Sequence, residues 1–196
     1  MKAKAALPEE YREIFAVDLQ KDKKMALAVN GAAILIGILM AVPAHFYCSF
    51  FSLFDMSQGL GMYAVRFAVL VVGLILYMVL HELTHGIAMK LFGTKKVRFG
   101  FTGLYAFAGS DDFYPKKPYL VIALAPVVVF GVLLTVITLL VSAEWFWVAY
   151  FIQIANISGA AGDLYVTFKF SRMPADILVQ DDGVSMKVYS DQEKMK

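Results

Sequence analysis

The sequence holds one cysteine, Cys48, among 196 residues, so no internal disulfide can brace it and the redox compartment stays open. Charge is scarce too: Asp, Glu, Lys and Arg make up 17% of the chain, against about 25% in soluble domains, while 60% of residues are hydrophobic. That balance argues against a soluble globular domain. With 18 basic and 16 acidic residues the net charge is +2, too small for a nucleic-acid footprint, so no nucleic-acid partner is expected. Low-complexity and collagen-like tracts are missing as well, and the length suits one domain with short appendages.

The charges that exist are unevenly placed. Residues 1–24 carry 11 and residues 169–196 carry 10, whereas 25–54, 118–143 and 145–162 carry none. A helix rises about 1.5 Å per residue, so roughly 20 apolar residues cross a hydrocarbon core of about 30 Å. Four segments meet that length, near 26–47, 63–90, 119–141 and 145–168, and the last two read as an antiparallel hairpin turning at 141–143. Phe46, Tyr47, Tyr119, Trp145 and Trp147 stand at their ends, where aromatic rings suit the membrane interface. A soluble core cannot bury four helices that are apolar all round in so short a chain. The 24 mostly polar residues ahead of the first span, and the lack of a small-residue cleavage site, argue against a cleaved signal peptide.

Lys and Arg set the orientation. They occur in residues 1–24, in the segment between spans two and three (Lys95, Lys96, Arg98, Lys116, Lys117) and in residues 169–196, and are absent from the other two loops. The expectation is an all-α membrane protein of about four transmembrane helices: a cytoplasmic segment 1–24, a membrane domain 25–168 and a cytoplasmic tail 169–196. Both termini then face the cytoplasm, with the lipid bilayer as surroundings and the oligomeric state left open.

Against this background the second span contains His81-Glu82-Leu83-Thr84-His85. Ionisable groups inside a membrane helix are costly unless they are paired or serve a site. Histidines four apart project from one helix face and can hold one zinc, and Glu82, about 100° round, lies beside the open coordination position. The competing explanation is two histidines hydrogen-bonded across a bundle with Glu82 as partner.

A catalytic zinc usually takes three protein ligands. Within the spans the remaining acidic residue is Asp163, in Asn156-Ile-Ser-Gly-Ala-Ala-Gly-Asp163. His85 lies five residues before Lys90, about 7.5 Å, and Asp163 six before Lys169, about 9 Å, so on two inward-running spans their depths match. Asn156, seven residues earlier, is expected on the Asp163 face, as an interhelical hydrogen-bond partner or an oxyanion contact. The small residues 158–162 let one helix back approach another. Asp111 and Asp112 are reserve ligands, in what reads as a solvated turn, and His45 reads as an interfacial histidine at the far end of the first span.

Residues 94–114 mix β-branched and aromatic residues with Gly100, Gly103 and Gly109, which predicts a short β-hairpin between spans two and three. An open strand edge there could capture an extended peptide, or the segment could simply cap the bundle. Asp181-Asp182-Gly183 between apolar runs predicts a second hairpin turn.

With His81-Glu82-Leu83-Thr84-His85-Gly86 followed by Leu91-Phe92-Gly93, the second span resembles the site-2-protease class of intramembrane zinc metallopeptidases, most closely the small zincin peptidases of bacterial membranes. The similarity extends through the glycine-rich segment, the span containing Pro126, the stretch Asn156 to Asp163 and the region Asp176 to Asp182. It implies His81, His85 and Asp163 on Zn2+ and Glu82 as general base. The larger relatives place Asp before Gly and a Pro after the Asn, whereas here Gly162 precedes Asp163 and Ile157 follows Asn156. No appended regulatory domain is read, so substrate choice is expected from the membrane region or a partner.

The function expected is therefore a zinc-dependent intramembrane endopeptidase acting on a membrane protein or peptide substrate, with Glu82 and Asn156 in the chemistry. The alternatives are a non-catalytic zinc-binding scaffold or partner-binding protein and, with less support since internal repeats are missing, a transporter.

Overall fold

The structure, a computed structural model, describes residues 2–18, 21–103 and 105–191. In chain order it contains β1 (Tyr11–Asp18), α1 (Lys23–Tyr47), a 3-10 turn (Phe50–Phe54), α2 (Leu60–Leu91), β2 (Arg98–Phe101), β3 (Ala106–Gly109) and β4 (Phe113–Pro115). Then follow α3 (Lys116–Leu140), α4 (Ala143–Gly159), α5 (Ala161–Ser171), β5 (Leu178–Asp181) and β6 (Ser185–Asp191). The chain divides into two compact units.

The first unit comprises Met1–Ala28, Glu82–Ala125 and Asp163–Lys196. Its frame is a four-stranded antiparallel sheet in the order β1-β6-β5-β4. Tyr11 pairs with Asp191, Val179 with Val188, and Tyr114 with Val179. The expected turn at Asp181-Asp182-Gly183 joins β5 to β6: Asp182 Oδ1 accepts from the N–H groups of Val184 and Ser185, and Gly183 takes φ +92°. Tyr114, Phe170, Ile177, Val179 and Val188 have no exposed surface, and Met89, Tyr119 and Ile122 pack with them. Lys116 Nζ donates to the carbonyls of Ser171 and Met173 at 2.8 and 2.6 Å, serving acceptors that the end of α5 leaves over. The hairpin expected in 94–114 is β2 with β3, Phe99 opposite Ala108.

The second unit comprises Val29–His81 and Pro126–Gly162. Its sequence includes three Asp, Glu, Lys or Arg residues: Asp55, Arg66 and Glu144. Arg66, fully buried, brings them together by donating to the backbone carbonyls of Asp55 and Glu144. Trp147 is buried against Phe50 and donates to the carbonyl of Ser49 at 2.9 Å. Gly73 lets α2 and α4 approach so closely that a Cβ there would lie 2.6 Å from Ile152.

One expectation is corrected and another is met in part. The fold is not all-α, because the segments 1–24 and 169–196 contribute β1, β5 and β6 to one sheet. Among the described residues three helices, α1, α2 and α3, are long and apolar enough to cross a membrane, which accounts for three of the four expected spans. The segment expected as a continuous fourth span breaks at Ala160 into the 17-residue α4 and the 11-residue α5. Ser158, Gly159 and Gly162 explain the break, since serine and glycine weaken a helix interior. Lys194 and Lys196, used above for orientation, lie outside the described residues, as does Leu104 in the first hairpin.

Candidate metal centre

α2 runs for 32 residues and brings His81 and His85, one turn apart, onto one face near its end. Both are buried. Asp163 falls in the first turn of α5, and its Oδ1 lies 3.6 Å from Nε2 of His85. Two ligands of a tetrahedral zinc, each about 2.1 Å from the ion, stand roughly 3.4 Å apart, so this spacing suits a shared ion better than a direct hydrogen bond.

Ligand atoms of His81, His85 and Asp163 all lie within 4.8 Å of one another, the one such group of three among the described residues. Two imidazoles and a carboxylate are the donor chemistry of a catalytic zinc site with a position left open. Each histidine also has its Nδ1 engaged elsewhere, His85 with the Ile122 carbonyl oxygen at 2.9 Å and His81 with the Tyr77 hydroxyl at 2.8 Å. With Nδ1 so engaged, Nε2 is the atom each histidine would offer an ion, the second-sphere arrangement usual for metal-bound histidine. The residues fit zinc.

Glu82 is half-buried, with its carboxylate in reach of the Ala108 backbone N–H of β3. The neighbouring hairpin strand closes on the same helix at Gly86, where a Cβ would stand 2.4 Å from the tip of the Phe99 ring. The glycine after the second histidine thus lets β2 lie directly on the motif.

Asn156 is fully buried in α4. The periodicity that placed it on the Asp163 face does not apply, because the helix is interrupted between them at Ala160. Its amide nitrogen donates to the Val127 carbonyl at 3.2 Å and its oxygen accepts from Tyr77 at 3.1 Å. Asp111 forms a two-pronged pair with Arg98 at 2.6 and 2.8 Å, and neither it nor Asp112 belongs to the three-residue group. His45 accepts from the Phe50 N–H at 3.0 Å, at the start of the 3-10 turn.

Two residues escaped the sequence reading, and two more, Tyr119 and Asp181, were read only as an interfacial ring and a turn residue. Tyr77 stands one turn before His81, a spacing that could have flagged it. Arg66 interrupts the apolar run of span two and was visible as a charge. Tyr119 donates to buried Asp181 at 2.8 Å, a pairing across 62 residues with no local signal. Burial pushes the Asp181 carboxyl up from 3.8 to about 6, although the Tyr119 hydroxyl and the Gly183 N–H pull the other way.

Comparison with known proteins gives two matches. Residues 74–178 match the model of a family described as "Putative zincin peptidase". A Pyrococcus woesei protein, described as an uncharacterized 24.7 kDa protein in the gap 5' region, is 32% identical over 128 residues, covering 60% of this chain and 53% of the relative. The chain therefore spans about half the length of that curated relative. No solved structure matches it.

Proposed function

The chain belongs to the zincin peptidase family, whose model covers more than half of it, and on that premise we propose a zinc-dependent endopeptidase of the site-2-protease type that hydrolyses peptide bonds of membrane-associated substrates in the cytoplasmic half of the bilayer. The meeting of His81, His85 and Asp163, with Glu82 between the histidines in sequence, carries this reading. Zinc held there supplies Lewis acidity toward a water and a scissile carbonyl. Glu82 accepts a proton from the attacking water and returns it to the amine nitrogen as the C–N bond breaks. The extended peptide such chemistry needs is recruited by pairing with β2, which among the described residues pairs with β3 alone.

The membrane topology proposed is four crossings, with α4 and α5 together making the last. The sheet supports it. β1 precedes α1, β4 lies between α2 and α3, and β5 and β6 follow α5, yet all four strands belong to one sheet and so to one compartment. An odd number of crossings between any two of them is incompatible with that pairing. The Lys and Arg of these segments make the compartment the cytoplasm.

The experiment that tests the reading is zinc analysis of purified wild type, His85→Ala and Asp163→Ala in detergent, with folding verified, alongside hydrolysis of a membrane-peptide library. About one zinc per chain, lost in both variants, with cleavage by wild type alone, is expected. Zinc without cleavage would favour the non-catalytic scaffold, and undiminished zinc in Asp163→Ala would move the third ligand elsewhere.

A further inference from the structure

α3 carries Pro126 in its interior. In an unbroken helix the Ile122 carbonyl accepts the N–H of residue 126, but proline has none, so that carbonyl lacks its helical donor. His85 Nδ1 stands 2.9 Å from it. A carbonyl can only accept, so in this contact Nδ1 carries a proton and donates it, and Nε2 is the nitrogen a metal would take. Nε2 is the atom that lies 3.6 Å from Asp163 Oδ1.

His81 reaches the same state by another route. The Val127 carbonyl, 3.2 Å from the Asn156 side chain, also only accepts, so the atom facing it is the amide nitrogen. Asn156 Oδ1 is thereby turned to Tyr77 and accepts its hydroxyl hydrogen at 3.1 Å. The hydroxyl oxygen then accepts from Nδ1 of His81 at 2.8 Å. Hydrogen-bond direction thus runs from His81 through Tyr77 and onto Asn156, while the Asn156 amide is held by α3 and fully buried away from competing water.

We propose that Pro126 and the Tyr77–Asn156 pair are positioning residues that hold both imidazoles through Nδ1–H and so fix Nε2 as the atom each ring turns to the metal. The proposal rests on His81 and His85 being ligands. It gives Asn156 a part played through Tyr77 and His81 rather than at the reacting carbonyl.

The test uses the full chain in detergent with 15N-labelled histidine, of which there are three residues. Tautomers are read by NMR in chelator-treated protein, and zinc affinity by competition with a chromophoric chelator, for wild type, Pro126→Ala, Tyr77→Phe and His85→Ala. Wild type should show Nδ1–H at His81 and His85. Pro126→Ala restores an N–H that competes for the Ile122 carbonyl, so His85 should become a tautomer mixture. Tyr77→Phe should do the same to His81. Each should weaken zinc binding about 10- to 100-fold.

The unfolding midpoint separates positioning from mere support. Removing a proline from a helix interior normally raises stability, so Pro126→Ala should bind zinc less well while unfolding no earlier. Wild-type affinity and unchanged tautomers in both variants, with zinc lost in His85→Ala, would overturn the proposal and leave the metal site standing. Failure of wild type itself to bind zinc would overturn the ligand reading and with it the purpose given to these residues.

Discussion

Glu82 and Asp181 are carboxyls with different duties. Glu82→Gln keeps the side chain's shape but cannot take a proton, so zinc content should stay at the wild-type level while the cleavage rate falls by about 10²–10⁴-fold. Full cleavage by that variant would remove Glu82 as the base. Asp181 stands in β5 with its pKa raised to about 6 by burial. The folded state therefore holds this proton more tightly than the unfolded chain, whose value is 3.8. Stability from this group is fully present below about pH 4 and is lost as pH rises through 6, by a total on the order of 3 kcal/mol. Asp181→Asn can still accept from Tyr119 without ever charging. Its midpoint should track wild type at pH 4 and exceed it by pH 7; parallel midpoint curves would contradict the assignment. Arg66→Met should destabilise the second unit by about 1–3 kcal/mol in thermal unfolding, because two backbone carbonyls lose their shared donor.

Among the elements, the β2–β3 hairpin is held on both of its strands at the end of the ladder away from its turn. Phe99 rests over Gly86, and Gly109 comes so close to the β5–β6 turn that a Cβ would lie 2.1 Å from the Asp182 carbonyl carbon. Backbone cannot give way as a side-chain tip can, so Gly109→Ala should cost about 1–3 kcal/mol or more and lower the unfolding midpoint by several degrees. Gly61→Ala, in α2 with nothing within 4 Å of the new Cβ, is the control and should leave the midpoint equal or higher. For substrate pairing the informative change is Phe101→Pro, which removes a β2 donor. Cleavage should be lost with zinc retained, and unimpaired cleavage would remove strand pairing from the proposal.

For the molecule as a whole, the sheet ties sequence-distant segments into one compartment. Tyr11 and Asp191, 180 positions apart, are partners across β1 and β6. Reporter domains fused at either end should therefore both be active on the cytoplasmic side, and a reporter in the 48–58 loop on the other. Opposite sides for the two ends would exclude a fourth crossing by α4 and α5.

The sequence by itself determined what depends on neighbours along the chain. Two histidines and a glutamate within one and a half turns are set by helix geometry, and three spans follow from length and apolarity. Both hairpins were legible because Gly100, Gly103 and Gly109 punctuate one and Asp182-Gly183 turns the other. Asp163 stood out because carboxylates are costly in apolar segments. Tertiary structure decided what depends on distant partners. β1 read only as part of a polar cytoplasmic segment because its strand partner lies at the other end of the sequence. The break at Ala160 placed Asp163 in a helix's first turn instead of a continuous span. The partners of each imidazole Nδ1, a carbonyl freed by Pro126 and the hydroxyl of Tyr77, follow from helices meeting in three dimensions. No periodicity along the chain encodes such meetings.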